Sequence, residues 1–288
     1  MGMNPPFARH RIVRDVSVPA FLYGTAWKED RTEELARLAL GAGFRGIETA
    51  NQRRHYVEAA VGDAVAAFLR EGKLTREDVF LQTKFTFPRG QDHRLPYDRA
   101  ADPATQVQQS FESSLDHLRT THVDSYVLHG PSSPDGVSDA DWAVWRAMEA
   151  LHHGRRARLL GVSNVSLPQL TAIHEGSRVK PAFVQNRCFA SDGWDRAIRA
   201  FCDRRGIVYQ GFSLLTANPR ALKSPAVARA ARRTGRTAAQ VIFRFALQVG
   251  MIPLTGTSRP GHMQEDLGCF EFELDPAEVR AVEECGVS

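Results

Sequence analysis

The sequence predicts an α/β fold, a closed (β/α)8 or TIM barrel with an N-terminal hairpin and extra C-terminal helices. Eight short apolar runs recur along the 288 residues, segments with helical spacing separate them, and no GxGxxG or GxxxxGK[ST] motif follows any run. Alternating strands and helices indicate a parallel sheet. Eight such units in about 240 residues fit a barrel better than an open doubly wound sheet, which usually carries a phosphate loop after its first strand. We therefore expect one domain over residues 1–288.

Each apolar run is a predicted strand, followed by a predicted helix. The strands are predicted at residues 21–26, 43–50, 78–85, 123–130, 157–164, 181–188, 206–214 and 250–257. The clearest helical patterns cover residues 31–43, 104–119, 139–154 and 236–250.

Three further segments decorate this barrel. Residues 9–19 read as a hairpin that precedes the first barrel strand and covers the barrel floor. Residues 224–235 predict an additional helix after the seventh strand. Residues 274–286 predict a last helix, with Asp275 as N-cap and Pro276 at its first position.

Composition excludes several classes of protein. Hydrophobic residues at 43% and charged residues at 24% are typical of a folded globular chain. The net charge of +4 comes with arginines spread along helix-like segments, so we expect no nucleic-acid partner. No apolar run reaches the roughly 18 residues of a membrane span, and no secretory signal is recognisable, which predicts a cytoplasmic protein. The four cysteines lack metal-ligand spacing, so we expect neither disulfides nor a metal site.

The carboxyl ends of the predicted strands are unusually polar, and catalytic side chains of such barrels project from those ends. Lys84 lies within an apolar run and must reach solvent or a charged partner, and Glu48 ends the adjacent predicted strand. His129 ends the fourth strand. A snorkelling lysine and a satisfied core histidine are the structural alternatives. Three ionisable residues at one barrel mouth favour an acid/base site.

These motifs resemble the aldo-keto reductases over nearly the whole chain. In chain order the resemblance is carried by GTAWK, GFRGIETA, LQTK, VDSYVLHGP, LLGVSN, VQN, GFSLL and IPLTGTSRPGHMQEDL. It implies reduction of a small-molecule carbonyl, or an imine, by direct hydride transfer from NADPH, with NADH less favoured. In that family a tyrosine is the general acid, a lysine paired with an aspartate lowers its pKa, and a histidine orients the carbonyl. Lys84 and His129 match two of these positions.

The tyrosine motif departs from the family pattern. It reads ETANQRRHYVEAAVG, in which Glu48 replaces the aspartate and the segment is two residues longer than usual. Counting forward from Glu48 places Arg53 at the tyrosine position, whereas counting back from Gly62 places His55 there. Tyr56 is one position further, and we expect it to be the proton donor, with His55 as the alternative acid. The structural alternative is that Tyr56 only packs at the start of the second helix.

The resemblance also assigns cofactor contacts. They are Thr25, Ser163, Asn164, Gln185, Phe212, Ser213, Leu214, Thr255, Gly256, Thr257, Arg259, His262, Glu265 and Asp266. Ser163, Asn164 and Gln185 correspond to the family's grip on the nicotinamide carboxamide, and Phe212 to the ring that stacks on nicotinamide. Arg259 is the candidate for a 2′-phosphate. Glu265 and Asp266 correspond to residues that approach adenine, or else form a solvated first helical turn.

Substrate identity is not encoded in these motifs. Trp27 and Phe85, with Phe87 and Trp194, are candidate walls of an open apolar pocket, although barrel aromatics more often pack in the core. Two other functions remain open: an NADPH-binding sensor without turnover, and a non-redox cyclase or isomerase. We expect a monomer or a weak homo-oligomer.

Overall fold

A computed structural model describes residues 8–287, so residues 1–7 and 288 of the predicted domain lie outside the described residues. Eight parallel strands close into a barrel, and an antiparallel pair precedes them. The barrel strands are β3 Leu22–Gly24, β4 Gly46–Glu48, β5 Phe80–Phe85, β6 Val123–Leu128, β7 Ala157–Ser163, β8 Phe183–Arg187, β9 Val208–Phe212 and β10 Ile252–Thr255. Each lies within one predicted run, and β10 closes the barrel against β3, which confirms the predicted fold class.

Helices surround the barrel. They are α1 Thr32–Ala42, α2 Glu58–Arg70, α3 Pro103–Leu118, α4 Asp139–His153, α5 Leu167–Gly176, α6 Arg196–Arg205, α7 Pro219–Leu222, α8 Pro225–Thr234, α9 Ala238–Gln248, α10 Pro260–Leu267 and α11 Pro276–Glu284. The two predicted additional helices are α8 and α11. Asp275 caps α11 by accepting hydrogen bonds from the first backbone N–H groups, and Pro276 takes the first position, as the sequence predicts.

The hairpin covers one end of the barrel. Its strands are β1 His10–Val13 and β2 Val16–Pro19. Val16 and Val18 are buried against the amino ends of barrel strands, where they share an apolar cluster with Phe80, Leu159 and Phe183. We call this end the floor, and the opposite end, where the strands reach their carboxyl termini, the mouth.

One glycine sets the position of α2 beside the mouth. A Cβ at Gly62 would lie 1.9 Å from the carbonyl oxygen of His117 at the end of α3. Backbone cannot retreat from such a contact without moving the helix, so only glycine permits this approach of α2 to α3. The part of α2 around Gly62 is thereby held close to the end of α3.

Three expectations from the composition concern the cysteines, metal ligands and membrane-spanning helices. Cys188, Cys202, Cys269 and Cys285 are free thiols, the first three buried. Between residues 8 and 287, no cluster of three or more His, Cys, Asp or Glu side chains is arranged to hold a metal ion. Over the same span, no helix is both long and apolar enough to cross a membrane.

Candidate active site

A buried ion pair lies at the mouth. Strands β4 and β5 are neighbours, so Glu48 at the end of β4 faces Lys84 across the barrel interior. The two side chains form an ion pair, and Lys84 Nζ also donates to the carbonyl oxygen of Thr49 at 2.8 Å. Lys84 is 0% exposed, and burial lowers its pKa well below that of a free lysine. The structure therefore brings together the acid and the base that the strand ends predicted, and the lysine does not snorkel to solvent.

Tyr56 lies next to this pair. The backbone N–H groups of His55 and Tyr56 both donate to the carbonyl oxygen of Gln52, which folds the longer loop into a tight turn before α2. The Tyr56 side chain is buried, and Lys84 Nζ lies 4.9 Å from its ring centre. Burial raises the pKa of the Tyr56 phenol above its ordinary value, so the hydroxyl is protonated at neutral pH. Tyr56 precedes α2 and is not part of the helix.

His129 completes a triangle of side chains at the mouth. Its ring centre lies 6.0 Å from that of Tyr56, and its Nδ1 is 2.7 Å from the Thr86 hydroxyl. Asn164 Nδ2 donates to the His129 carbonyl oxygen at 2.8 Å. Burial, assisted by the charge of Lys84, lowers the pKa of His129 well below its usual range, so the imidazole is neutral. A neutral imidazole with one nitrogen engaged by Thr86 can donate from its other nitrogen.

His55, the alternative acid, occupies a different place. Its ring stacks on Trp27 with centres 3.8 Å apart, and the Trp27 backbone N–H donates to its carbonyl oxygen at 2.7 Å. Trp27 is 66% exposed, which places this stacked pair at the solvent edge of the mouth. Burial and the charge of Arg54 lower the pKa of His55. Of the two candidate acids, Tyr56 is the one beside Lys84.

Sequence reasoning did not identify Glu58 as a residue of this site. Its carboxylate is 1% exposed, accepts a hydrogen bond from the Thr83 hydroxyl and lies 3.0 Å from His117 Nδ1. Thr83 immediately precedes Lys84, and Glu58 follows Tyr56 by two residues. The hydrogen bond between Thr83 and Glu58 therefore connects the segment that carries Tyr56 to β5, the strand that carries Lys84. The signal for Glu58 in the sequence was its place at the first position of a predicted helix. A glutamate at such a position is usually solvated, so the signal did not point to a buried role.

One of the carboxamide-binding candidates, Gln185, belongs to a chain of buried amides. Gln185 Nε2 donates to Gln210 Oε1 at 3.1 Å, and Gln210 exchanges two hydrogen bonds with Gln82, at 2.8 and 3.0 Å. Ser163 donates its hydroxyl to the Gln185 carbonyl oxygen at 2.6 Å. Among the described residues, no donor reaches Gln185 Oε1 or Asn164 Oδ1. These two acceptors fit the amino group of a carboxamide.

The end of β9 offers a ring and a strained turn. Phe212 is half-buried, and the Arg187 guanidinium lies 5.6 Å from its ring centre. Ser213 follows with φ at 57°, in the left-handed region, and Leu214 is buried. Asn164, after β7, has a similar φ of 53°. Non-glycine residues in this region are concentrated at functional sites.

The end of β10 presents its backbone beside β3. Gly256 is exposed, its carbonyl oxygen accepts from Lys28 Nζ, and a Cβ there would lie 3.3 Å from the Gly24 carbonyl oxygen. The Thr257 carbonyl oxygen accepts from the Tyr23 hydroxyl at 2.9 Å. Thr25 is buried and donates to the Glu48 carbonyl oxygen at 3.0 Å. It therefore supports the backbone beneath the ion pair.

The adenine candidates need a correction. Glu265 and Asp266 lie in the last turn of α10, so the alternative of a solvated first helical turn is wrong. Glu265 is exposed, whereas Asp266 is buried and accepts a hydrogen bond from the Thr255 hydroxyl at 2.8 Å. Burial raises the pKa of Asp266 to about 6. Arg259 and His262, at the opposite end of α10, are exposed.

The candidate substrate walls separate into two groups. Trp27 stands at the mouth, but Phe85 is fully buried in the core, where it packs on Phe87 and Tyr97 with ring centres 5.3 and 5.7 Å away. Side chains alternate along a strand, so Phe85 points away from the barrel interior that Lys84 faces. Trp194 is also buried, and its indole N–H donates to the Val282 carbonyl oxygen of α11.

Comparison with known proteins identifies the family of the chain. The model of the aldo/keto reductase family matches residues 21–287. The chain therefore belongs to the aldo/keto reductase family. A relative of this family, prostaglandin-E(2) 9-reductase of Oryctolagus cuniculus, is 27% identical, with 98% of this chain and 92% of the relative aligned. The resemblance seen in the sequence motifs is thus confirmed.

Two solved structures share the barrel. The aldo/keto reductase of Brucella melitensis is 25% identical, has a TM-score of 0.80 and aligns over 99% of both chains. An aldo-keto reductase complexed with NADPH has a TM-score of 0.81 at 22% identity, over 96% of this chain and 88% of its own. At that identity the second likeness establishes the fold alone.

Proposed function

We propose that this aldo/keto reductase uses NADPH to reduce an aldehyde or ketone, or an imine, with Tyr56 as the general acid. The observation that carries the proposal is the position of Tyr56, buried between the Lys84 ammonium and the His129 ring. His55 is stacked on exposed Trp27 instead. The longer loop thus supplies a phenol at the site, although neither count along the motif predicts one there.

The roles of the side chains follow from their protonation states. NADPH, when bound, supplies the hydride for the carbonyl carbon. The carbonyl oxygen then gains negative charge, and the Tyr56 hydroxyl gives it a proton while neutral His129 donates a hydrogen bond. The resulting phenolate lies beside Lys84, whose ammonium stabilises it. Glu48 holds the lysine in place and favours its charged form.

The residues present fit the cofactor. Gln185 and Asn164 offer free acceptor oxygens for a carboxamide, Phe212 offers a ring for stacking, and exposed Gly256 and Thr257 offer backbone near a phosphate. Ser163, Ser213, Leu214 and Thr25 support these groups. We assign a 2′-phosphate to Arg259 with His262 near it, and Glu265 to the adenine side, which favours NADPH over NADH.

The substrate belongs to the small-molecule carbonyls, and the Trp27 and His55 pair forms the outer wall of its pocket. Phe85 acts from behind this pocket as packing for the strand that carries Lys84. We further propose that the protein has a single domain and acts in the cytoplasm as a monomer or a weak homo-oligomer. We propose that its reaction uses no metal.

The test is NADPH oxidation, followed by absorbance with a panel of aldehydes and bulky ketones. We expect Tyr56→Phe to lower kcat about 10³-fold, because general acid catalysis contributes roughly 10²–10⁴. His55→Ala is the matched control and keeps kcat within about threefold, since it lacks the contact with Lys84.

Three outcomes would overturn the proposal. Loss of turnover in His55→Ala with retention in Tyr56→Phe would transfer the acid role to the imidazole. Tight NADPH binding by wild type without turnover of any substrate would instead favour a sensor, and product formation without NADPH consumption would favour a cyclase or isomerase.

A further inference from the structure

A cavity of about 460 Å³ lies on the outside of the barrel, between α4 and the turn that follows α5. The lining residues are Trp142, Trp145, Arg146, Glu149, Ala150, His153, Gly176, Ser177 and Arg178. α5 ends just before β8 begins, so the turn that forms one wall of the cavity lies on the floor side of the barrel. None of the lining residues belongs to the site at the mouth, so the cavity is separate from it.

The wall formed by the turn is held rigidly. Glu149 of α4 is buried, and its Oε1 accepts hydrogen bonds from the backbone N–H groups of Arg178 and Val179 at 2.7 and 2.8 Å. Lys180 Nζ closes the same turn by donating to the Ser177 carbonyl oxygen at 2.7 Å. A binding site with walls fixed in advance loses little conformational entropy when a ligand enters.

Two indole rings form the apolar part of the lining. Trp142 is half-buried and packs over Gly176, where a Cβ would lie 2.5 Å from its ring. Trp145 is 1% exposed, and its indole N–H has no hydrogen-bond partner among residues 8–287. This N–H has almost no accessible surface, so Trp145 contributes apolar packing to the lining and not a hydrogen bond to a ligand.

The charged part of the lining is cationic. Arg146 and Arg178 are exposed, and neither forms an ion pair with any described residue. The single acid of the lining, Glu149, already accepts two backbone hydrogen bonds. Guanidinium groups bind carboxylates through paired hydrogen bonds, so the unpaired charge of this cavity complements an anion.

We propose that this cavity is a second binding site, for a small aromatic carboxylate. The aromatic ring lies against Trp142, and the carboxylate pairs with Arg146 and Arg178. A volume of about 460 Å³ is within the usual range for small-molecule sites and accommodates a ligand of two fused rings. The site does not depend on the proposed reductase activity.

Isothermal titration of 1-naphthoate into the purified protein tests the proposal. We expect the affinity to fall about tenfold in Arg178→Gln, because a charge-assisted hydrogen bond is lost. Trp142→Ala removes the ring against which the ligand packs, and we expect a loss of about fivefold. Arg229→Gln removes an exposed charge on α8 as the matched control, and Trp27→Ala perturbs the mouth; both should bind as wild type does.

The uncharged analogue 1-naphthamide keeps the ring and an acceptor oxygen, so we expect it to bind about tenfold more weakly than 1-naphthoate. The proposal is overturned if 1-naphthoate does not bind, if naphthamide binds equally well, or if Trp27→Ala abolishes binding while Arg178→Gln leaves it unchanged. NADPH oxidation by the same variants reports the reductase proposal independently, because none of the cavity variants touches the mouth.

Discussion

The same eight strands build the mouth and the floor of the barrel, yet the two ends bury opposite kinds of side chain. The mouth encloses Glu48 and Lys84, whereas the floor encloses Val16 and Leu159 among other apolar residues. Apolar burial stabilises a fold by about 25 cal/mol per Å². A buried ion pair, by contrast, loses much of its attraction to desolvation. The comparison teaches that stability is concentrated at the floor and reactivity at the mouth.

The largest expected effect comes from breaking the ion pair. In Lys84→Met we expect kcat/KM for NADPH-dependent reduction to fall at least about 100-fold, because the Tyr56 phenolate loses its stabilising charge. The free energy of unfolding should fall by roughly 3–5 kcal/mol, because Glu48 is left buried without a partner. Urea unfolding and steady-state kinetics measure the two effects.

A double variant separates these effects. Glu48→Gln combined with Lys84→Met removes both charges, and we expect it to regain most of the lost stability without regaining activity. An active double variant would show that the ion pair serves the fold rather than the chemistry.

The complementary change is at the floor. Leu159 is 1% exposed in the apolar cluster beneath the hairpin, and we expect Leu159→Ala to lower the free energy of unfolding by about 3 kcal/mol. Its kcat should stay within about twofold of wild type, since Leu159 lies in the amino-terminal half of β7 and is not one of the residues proposed for the site. Ile12→Ala, at a position 71% exposed on the same hairpin, is the control and should be nearly neutral. A collapse of kcat in the folded Leu159 variant would mean that the two ends are coupled.

The smallest expected effect is the change of folding stability with pH that comes from buried Asp266. Burial raises the pKa of Asp266 from 3.8 to about 6, so the native state binds more protons than the unfolded state between these values. Stability therefore falls as pH rises through this window, by roughly 2–3 kcal/mol. Asp266→Asn removes the titration, and its Oδ1 can still accept the Thr255 hydrogen bond.

We expect the stability gained by the asparagine variant over wild type to be larger at pH 7.5 than at pH 4.5. Urea unfolding at both values measures the difference. An equal difference at the two pH values would show that Asp266 does not titrate in this window.

Much of this architecture was predictable from local patterns. Each barrel strand falls within a predicted apolar run. Asp275 is the N-cap of the last helix, as the sequence predicts. The Glu48 and Lys84 pair was also predictable, because adjacent parallel strands bring their carboxyl ends together. These features depend on residues close in sequence or on the regular spacing of the sheet.

Other features depend on contacts that no local pattern encodes. The place of Tyr56 follows from the turn at Gln52, whose side chain in turn donates to the Gly90 carbonyl oxygen in the loop after β5, 38 residues away. Thr86 engages His129, although nothing in the run LQTKFTF distinguishes its hydroxyl from that of Thr83. Asp266 reads as a solvated helix residue until tertiary packing buries it.

The chain of three glutamines has a consequence for which dinucleotides the protein accepts. Gln210 Oε1 accepts from both Gln82 and Gln185, so the Gln185 amino group is engaged and its Oε1 receives no donor from the described residues. Turning the Gln185 amide over alone would set two oxygens against each other. With Gln82 and Gln210 in this orientation, the free atom of Gln185 is an oxygen, which favours a donor. At the proposed cofactor site we therefore expect a dinucleotide that carries nicotinic acid in place of nicotinamide to bind more weakly.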